Sequence, residues 1–366
     1  MQELETNQIA IRQGTGKPTQ LQEVESVAIT EQPAASKMGL RGYARLLRVA
    51  WSLALFAARL AINRRPWLPS KTEPSELRRR EGAVLREKLI RLGPTFIKIG
   101  QTLVTRADIL PTEYIQELAK LQDEVPAFPT EQARAIVEQE LKAKIEDLFE
   151  DFPATPVAAA SLGQVYRARL RTGQAVAIKV QRPAIAEQIE FDLTVLRRIV
   201  RTLEGRPNLI RGVDWPGTLN EFRTHIFEEL DYVQESRNAE IFTANFARWR
   251  EVYVPRIYHL FSTRRVIVME FIDGLKVSDI EPLKAAGHNP SEVVKLLART
   301  YLKQLLEDGF FHADPHPGNL RVMADGRLAF FDFGMVGRLS MDLQSRLTSA
   351  FFHVVERDVH GLVDDM

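Results

Sequence analysis

The chain contains no cysteine among its 366 residues. That excludes disulfides, thiolate zinc sites and a cysteine nucleophile, and it makes an intracellular location the default. Neither sign of charge is in excess. The 49 Lys and Arg face 48 Asp and Glu, a net charge of +1, so no global field draws the chain to nucleic acid and no nucleic-acid partner is expected. No basic start runs into an apolar core, so the pattern of a signal peptide is absent. No uncharged run reaches the roughly twenty apolar residues of a membrane-spanning helix. What is there is a globular composition, 45% hydrophobic and 27% charged, with room for one large domain or two modest ones.

The polar stretches QGTGKPTQ and TEQPAASK mark residues 1–40 as a disordered tail. Residues 41–91 hold thirteen Arg or Lys against four Glu, a local excess of nine positive charges. Inside lies VAWSLALFAA (49–58), ten uncharged residues between Arg48 and Arg59, too short to span a bilayer. Two readings stay open for it: a helix packed on the protein's own core, or an interfacial helix whose arginines meet anionic lipid. From 74 to 145 apolar residues recur with helical period. The run starts at Pro74, breaks at Gly93-Pro94 and stops at Pro126 and Pro129.

Near residue 153 the pattern turns to strands. VAAASLGQVYRARL, a turn at Thr172-Gly173 and QAVAIKVQRP read as three, and VYVPRIYHL and RRVIVMEFI as two more. Helices are expected over roughly 184–205 and 216–247, and over SEVVKLLARTYLKQLLEDG, closed by Gly309. LRVM and LAFFDFG flank a turn at Asp325-Gly326, and a last helix starts near Ser340.

Five strands with an inserted helix, then helices and a loop between short strands, is the order of a protein-kinase fold. Lys179 of VAIK lies on the third expected strand. Burying its charge there demands an anion, either nucleotide phosphates or a glutamate from a packed helix; taken alone it reads equally as a strand-edge lysine. Asp332 of DFG follows a strand, where a carboxylate can hold Mg²⁺ and the glycine lets the chain turn. FHADPHPGNL (311–320) packs His312, Asp314, His316 and Asn319 together. In phosphoryl transfer a carboxylate orients or deprotonates the acceptor, and an amide five residues on supplies a metal ligand, which is the spacing of Asp314 and Asn319. The competing reading is a metal hydrolase on His312, Asp314 and His316, which leaves VAIK and DFG without a role. With Asp314 catalytic, His312 and His316 are expected to bond to the loop backbone.

Two features of ordinary kinases are missing. The loop before VAIK is AAASLGQ (158–164), in which only Gly163 is glycine. Ala158, Ala159, Ala160 and Ser161 bring backbone N–H groups to phosphates less freely than glycines do. DFG then runs through MVGRL into a helix start, with almost no activation segment and no APE.

KIGQ (98–101), AAAS (158–161), VAIK (176–179), ELD (229–231), HADPHPGN (312–319) and DFG (332–334) together resemble the UbiB family of atypical, protein-kinase-like proteins, which includes the ADCK group. The resemblance covers roughly residues 75–356 and is nearest to bacterial or plastid-type members. It implies an α+β, protein-kinase-like bilobal fold with an N-terminal helical extension over 41–150. An N-lobe with inserted helices would occupy 151–272 and a partial C-lobe 273–366, truncated because only 32 residues follow Gly334.

The resemblance also implies ATP and Mg²⁺ as cofactors, and an atypical kinase or ATPase that hydrolyses ATP or passes phosphate to a non-protein acceptor. It implies peripheral membrane association on a cytoplasmic or organellar face, in support of isoprenoid-quinone or prenyl-lipid metabolism. The partners implied are an anionic membrane surface or prenyl lipids, and quinone-biosynthesis enzymes. By position, Lys98 and Gln101 are the KxGQ pair that folds over the place of a protein substrate, and Glu229 and Asp231 are the acids expected to meet it. Glu235 matches the glutamate that pairs Lys179, six residues after Glu229 and on nearly the opposite side of one helix. Asp314 is the catalytic carboxylate that orients or deprotonates the acceptor, Asn319 and Asp332 the metal ligands, and Glu270 and Ile272 the hinge that offers backbone groups to adenine. The alternative to an enzyme is a pseudokinase scaffold that organises a membrane-bound biosynthetic complex.

Overall fold

Proline and glycine punctuate the helices that open the chain. Helix α1 (Leu40–Asn63) carries the apolar run, and α2 (Pro74–Leu92) begins at a proline whose fixed φ suits a first helical turn. Gly93, at φ 98, ends α2, and Pro94 starts α3 (Pro94–Val104), which carries KIGQ. Gly100 of that motif is a packing residue. It is buried, and a Cβ there would stand 2.5 Å from Leu121 Cδ1 and 2.8 Å from Leu89 Cδ1. Helices α4 (Thr112–Ala119), α5 (Thr130–Leu141) and the single turn α6 (Ile145–Leu148) follow. This computed structural model describes residues 39–63, 73–104, 110–122, 125–204, 214–358 and 360–361. The tail expected over 1–40 lies outside them except for its last two residues.

The first sheet is antiparallel, in the order β1 (Phe149–Asp151), β3 (Gly163–Leu170), β4 (Ala175–Gln181), β6 (Val266–Glu270), with β2 (Ala158–Ala159) paired to β3. Between β4 and β6 the chain forms α7 (Ile185–Glu204), α8 (Trp215–Glu229), α9 (Tyr232–Asn245) and β5 (Val252–Tyr253). Side chains alternate across a strand, and both faces of this sheet are covered. Val176, Ile178 and Val180 of β4, with Val266 and Val268 of β6, pack against Ala133, Ile136 and Val137 of α5. Ile267 and Met269 face the other way, onto Tyr232 and Phe242 of α9 and Phe246 just past its end. The same alternation turns Lys179 toward α9.

The fourth expected strand is a correction. Only Ile257 of VYVPRIYHL bridges to Met269 of the first sheet. β5 instead runs parallel to β10 (Leu328–Phe330) in a second sheet, ordered β5-β10-β9-β7 with β7 (Leu275–Lys276) and β9 (Leu320–Val322). After β7 come α10 (Ile280–Ala285) and α11 (Pro290–Lys303), and α11 continues as a π-helical turn over Gln304–Asp308. Gly309, left-handed at φ 59, closes that turn as the sequence suggested. β8 (Phe310–His312) pairs with β11 (Val336–Arg338), which occupies the stretch after DFG, and α12 (Met341–Glu356) is capped by Ser340.

Two further expectations are corrected. The helix read over 216–247 breaks at Leu230-Asp231, because the Asp231 carboxylate caps α9 by accepting the N–H groups of Val233 and Gln234. The apolar run is neither short nor packed away. α1 has 24 residues, and Gly42–Asn63 is long and apolar enough to cross a membrane by length and hydropathy, with 6% of its most apolar window buried. Leu47 is 68% and Trp51 66% exposed. Polar groups hold the helix at its ends instead. Arg45 donates to both oxygens of the buried Asp192 at 2.8 and 3.0 Å and to Leu92 O, and Asn63 donates to Glu81 at 2.8 Å.

Candidate active site

Strand β4 and helix α9 bring an ammonium and a carboxylate together. Lys179 Nζ donates to Glu235 Oε1 and Oε2, each at 3.0 Å, and stands 3.2 Å from Asp332 Oδ2. Glu235 is 1% exposed, whereas the Asp332 side chain keeps 37% exposure and thus an open path to solvent. Burial favours the neutral amine at Lys179, but the charges of Asp332 and Glu235 outweigh it and hold its pKa well above the ordinary value. Burial raises Asp332 too, and Lys179, the Gly334 N–H, His312 and Lys98 more than reverse it, so Asp332 ends below its usual range. Glu235, with no such escape, is pushed up to about 7 by burial against the pull of Lys179.

The turn at DFG is made differently from the expectation. Asp332 itself is left-handed, at φ 58, a strained conformation for a non-glycine residue. Gly334 answers to proximity: a Cβ there would lie 3.1 Å from Asp332 Oδ1 and 3.5 Å from Glu229 Cγ. The Gly334 N–H donates to Asp332 Oδ1 at 3.2 Å.

The HADPHPGN loop is tied to DFG on both sides. Ala313 N–H donates to Met335 O at 3.0 Å, and Phe331 N–H to Asn319 O at 2.8 Å. Asn319 Nδ2 donates to Asp314 O at 3.2 Å and to Asp314 Oδ2 at 3.1 Å, which turns its amide oxygen away from that carboxylate. His312 Nδ1 accepts the Asp314 N–H at 3.2 Å while its Nε2 lies 2.8 Å from Asp332 O, and His316 Nδ1 accepts the Gly318 N–H at 3.0 Å. Both rings thus serve the loop backbone. The hydrolase reading of His312, Asp314 and His316 is not brought together; among the described residues no group of three His, Asp or Glu side chains is placed to hold a metal alone.

α3 lies over this cluster. Lys98 forms an ion pair with Glu229, and Gln101 accepts the Ser161 hydroxyl at 3.1 Å and donates to Leu121 O at 2.9 Å. Asp231 does not meet KIGQ. It is spent on the α9 cap and stands 3.6 Å from Arg264, because the helix break points residues 229 and 231 in different directions. Ala158 and Ala159 pair with Val165 and Gln164, and Ala160 N–H donates to Gly163 O at 2.8 Å, so AAAS is a closed hairpin rather than a loose loop. Arg182, which the sequence reading passed over, grips the Ala160 carbonyl at 2.9 Å and Pro126 O at 2.6 Å. Its place directly after VAIKVQ was the available signal. At the other end of β6, the Glu270 side chain accepts from Tyr253 OH at 2.7 Å and its N–H donates to Arg256 O at 2.8 Å, while Ile272 is buried just beyond. Any adenine contact there falls to main-chain groups.

A lysine held by a glutamate from a packed helix, an Asp–Asn loop and a DFG aspartate at one place is a kinase-type arrangement. A profile of the ABC1 atypical kinase-like domain matches residues 120–366. The chain belongs to the ABC1 atypical kinase-like family.

Similar proteins come from Synechocystis and Arabidopsis thaliana. The chain is 45% identical over 290 residues to the uncharacterized Synechocystis protein sll1770, covering 79% of this chain and 50% of that one. It is 42% identical over 316 residues to the chloroplastic ACTIVITY OF BC1 COMPLEX KINASE 8 of Arabidopsis thaliana, covering 82% of this chain and 41% of that protein. The solved structure of Rv3197 with erythromycin, from Mycobacterium tuberculosis, matches at TM-score 0.53 and 29% identity over 73% of this chain and 67% of that one. The chain spans about half the length of the curated relatives it matches. The ABC1 profile begins at residue 120, so KIGQ, which α3 lays against Glu229 and Ser161, precedes the matched segment.

Proposed function

We propose that this ABC1-family chain binds a magnesium nucleotide at Lys179 and Asp332 and hydrolyses it, or passes its phosphate to a small non-protein acceptor. The observation that carries this reading is the Lys179 ammonium, held between Glu235 and Asp332 beside the Asp314–Asn319 loop. Lys179 would meet the nucleotide phosphates, with Glu235 fixing its direction. Asp314 would orient or deprotonate the acceptor, and the backbone of Glu270 and Ile272 would receive adenine.

The residues present fit Mg²⁺. Asp332 offers a partly exposed carboxylate, and Asn319 an amide oxygen turned away from Asp314. Above the pH at which Glu235 ionises, three carboxylates, Glu229, Glu235 and Asp332, face two ammonium groups, Lys98 and Lys179, a surplus of one negative charge. Held by Asp332 and Asn319, Mg²⁺ would supply positive charge to offset that of the phosphate being transferred.

The Lys98–Glu229 and Gln101–Ser161 contacts support a built-in lid. Held there, α3 fills the groove a peptide acceptor needs, while water or another small acceptor still reaches the phosphate. α1 supports a membrane role. Its exposed face, Leu47, Trp51, Leu55 and Ile62, follows helical spacing, while Arg45 and Asn63 fasten both ends to the protein. A helix fastened at both ends lies along a surface, so we read it as interfacial, with Arg48 and Arg59 toward anionic lipid. Chloroplastic and Synechocystis relatives favour an organellar or bacterial membrane, and the motif resemblance to the UbiB family suggests quinone or prenyl-lipid metabolism as the process served.

Phosphate release and labelled transfer to a generic protein, measured in parallel on the purified chain with MgATP, test this reading. We expect slow release and negligible transfer. Efficient transfer with Lys98 and Gln101 intact would remove the lid, and nucleotide binding without any turnover would favour the scaffold.

A further inference from the structure

Tyr232 opens α9, three residues and one turn before Glu235. The residue is 1% exposed, and its hydroxyl has no hydrogen-bond partner among the described residues. A buried hydroxyl in that state costs stability, so its retention calls for a use. The hydroxyl is not lost in apolar packing. Lys179 Nζ stands 5.1 Å from the centre of the ring. The oxygen also reaches the first residue of β3: a Cβ on Gly163 would lie 2.9 Å from it and 2.5 Å from Val180 O. Glycine at 163 therefore makes room first for the Val180 carbonyl and then for this hydroxyl, beneath the hairpin that Ala160 and Gly163 close.

The groups around it define what it can bind. Burial raises the pKa of Tyr232, the carboxylates Glu235, Asp332 and Glu229 add to this, and the opposing pull of Lys179 is smaller. The hydroxyl is thus a neutral donor at any working pH, against Gly163 of the hairpin and on a ring whose centre lies 5.1 Å from the Lys179 ammonium. A donor and a cation around one ring suit an anion's oxygen, where a charge-assisted hydrogen bond is strongest.

We propose that Tyr232 is a ligand-contacting residue whose hydroxyl donates a hydrogen bond to a phosphate oxygen of the nucleotide held by Lys179. The assignment rests on the nucleotide reading above. It adds a residue that lies outside the VAIK, HADPHPGN and DFG signatures, and it gives Gly163 a steric reason in place of the flexibility expected of a phosphate loop.

Tyr232→Phe removes one oxygen and keeps the ring under Lys179. Melting temperature without ligand, and affinity for MgATP and for adenosine, are measured on the full chain for wild type and variant. The variant should melt no lower than wild type, since no hydrogen bond is lost, and should bind MgATP about tenfold more weakly, the loss of roughly one charge-assisted hydrogen bond. Adenosine, which lacks phosphate, should bind both equally. Equal MgATP affinity in the two proteins overturns the proposal. A lower melting temperature with unchanged affinity also overturns it, and assigns the hydroxyl to a buried water. A wild type that binds no MgATP sinks the nucleotide reading itself, a result distinct from either. If Tyr232→Phe does not fold, 3-fluorotyrosine placed at position 232 decides by ¹⁹F NMR. Its resonance should shift with MgATP and stay put with adenosine, and a resonance indifferent to MgATP refutes the contact.

Discussion

Glu235→Gln separates the charge of Glu235 from its shape. Glu235 and Asp332 share one ammonium, at 3.0 and 3.2 Å. Burial pushes the Glu235 carboxyl up to about 7 from an ordinary 4.5 despite Lys179. Between those two values the unfolded chain has released this proton and the folded chain has not. The folded state therefore binds more protons, and stability falls as pH rises through the window. About 2.5 pH units at roughly 1.36 kcal/mol each put the loss at about 3 kcal/mol. The glutamine amide has no such proton, and Lys179 keeps Asp332 as its counter-ion. Urea unfolding of both proteins at pH 5 and pH 8 isolates the effect, since Lys179 and Tyr232, whose pKa values depend on Glu235, stay protonated across that range. The variant should be as stable as wild type at pH 5 and about 3 kcal/mol more stable at pH 8, while losing nucleotide affinity because Lys179 is no longer aimed. Curves for the two proteins that fall in parallel with pH would refute the argument that Glu235 is buried against its charge.

Lys98→Ala should cost about 2–3 kcal/mol, on the low side for breaking a buried pair because both side chains keep some exposure, and should raise transfer to a generic protein; thermal melts and a labelling assay check both. Gly100→Ala should cost about 1–3 kcal/mol by forcing the Leu121 and Leu89 methyls aside, and an unchanged melting temperature would mean α3 packs less tightly than described. Leu47→Glu with Trp51→Glu should abolish flotation with anionic vesicles, and wild-type flotation should weaken with salt; equal binding of wild type to neutral vesicles would contradict an electrostatic interfacial helix.

Much of the first sheet was legible because both its faces are buried. VAIKV and VIVME read as strands from β-branched runs, and period two alone turns Lys179 away from Val176, Ile178 and Val180. Helix ends at Gly93 and Gly309 were legible from glycine, since both need positive φ. The short strands β7, β8 and β11 were not, because two or three residues carry no periodicity and exist as strands only through their partners. Motif spacing located the Lys179, Asp314, Asn319 and Asp332 elements but not the direction of each side chain. Asp231 is drawn to the α9 backbone by capping, a local contact that competes with the long-range one expected of it. α1 was misjudged by counting from Arg48 to Arg59. Helix length follows backbone hydrogen bonding and not charge, and the nearby Arg45 is consumed by Asp192, 147 residues away in sequence.

Calorimetric titration of ATP with and without Mg²⁺, on wild type and Asp332→Asn, tests the central claim most directly. The account predicts that wild type binds ATP with an affinity that depends on Mg²⁺. It predicts that Asp332→Asn, which removes the carboxylate charge that Lys179, the Gly334 N–H, His312 and Lys98 hold ionised, loses that dependence. Identical Mg²⁺-dependent binding by both proteins would contradict it.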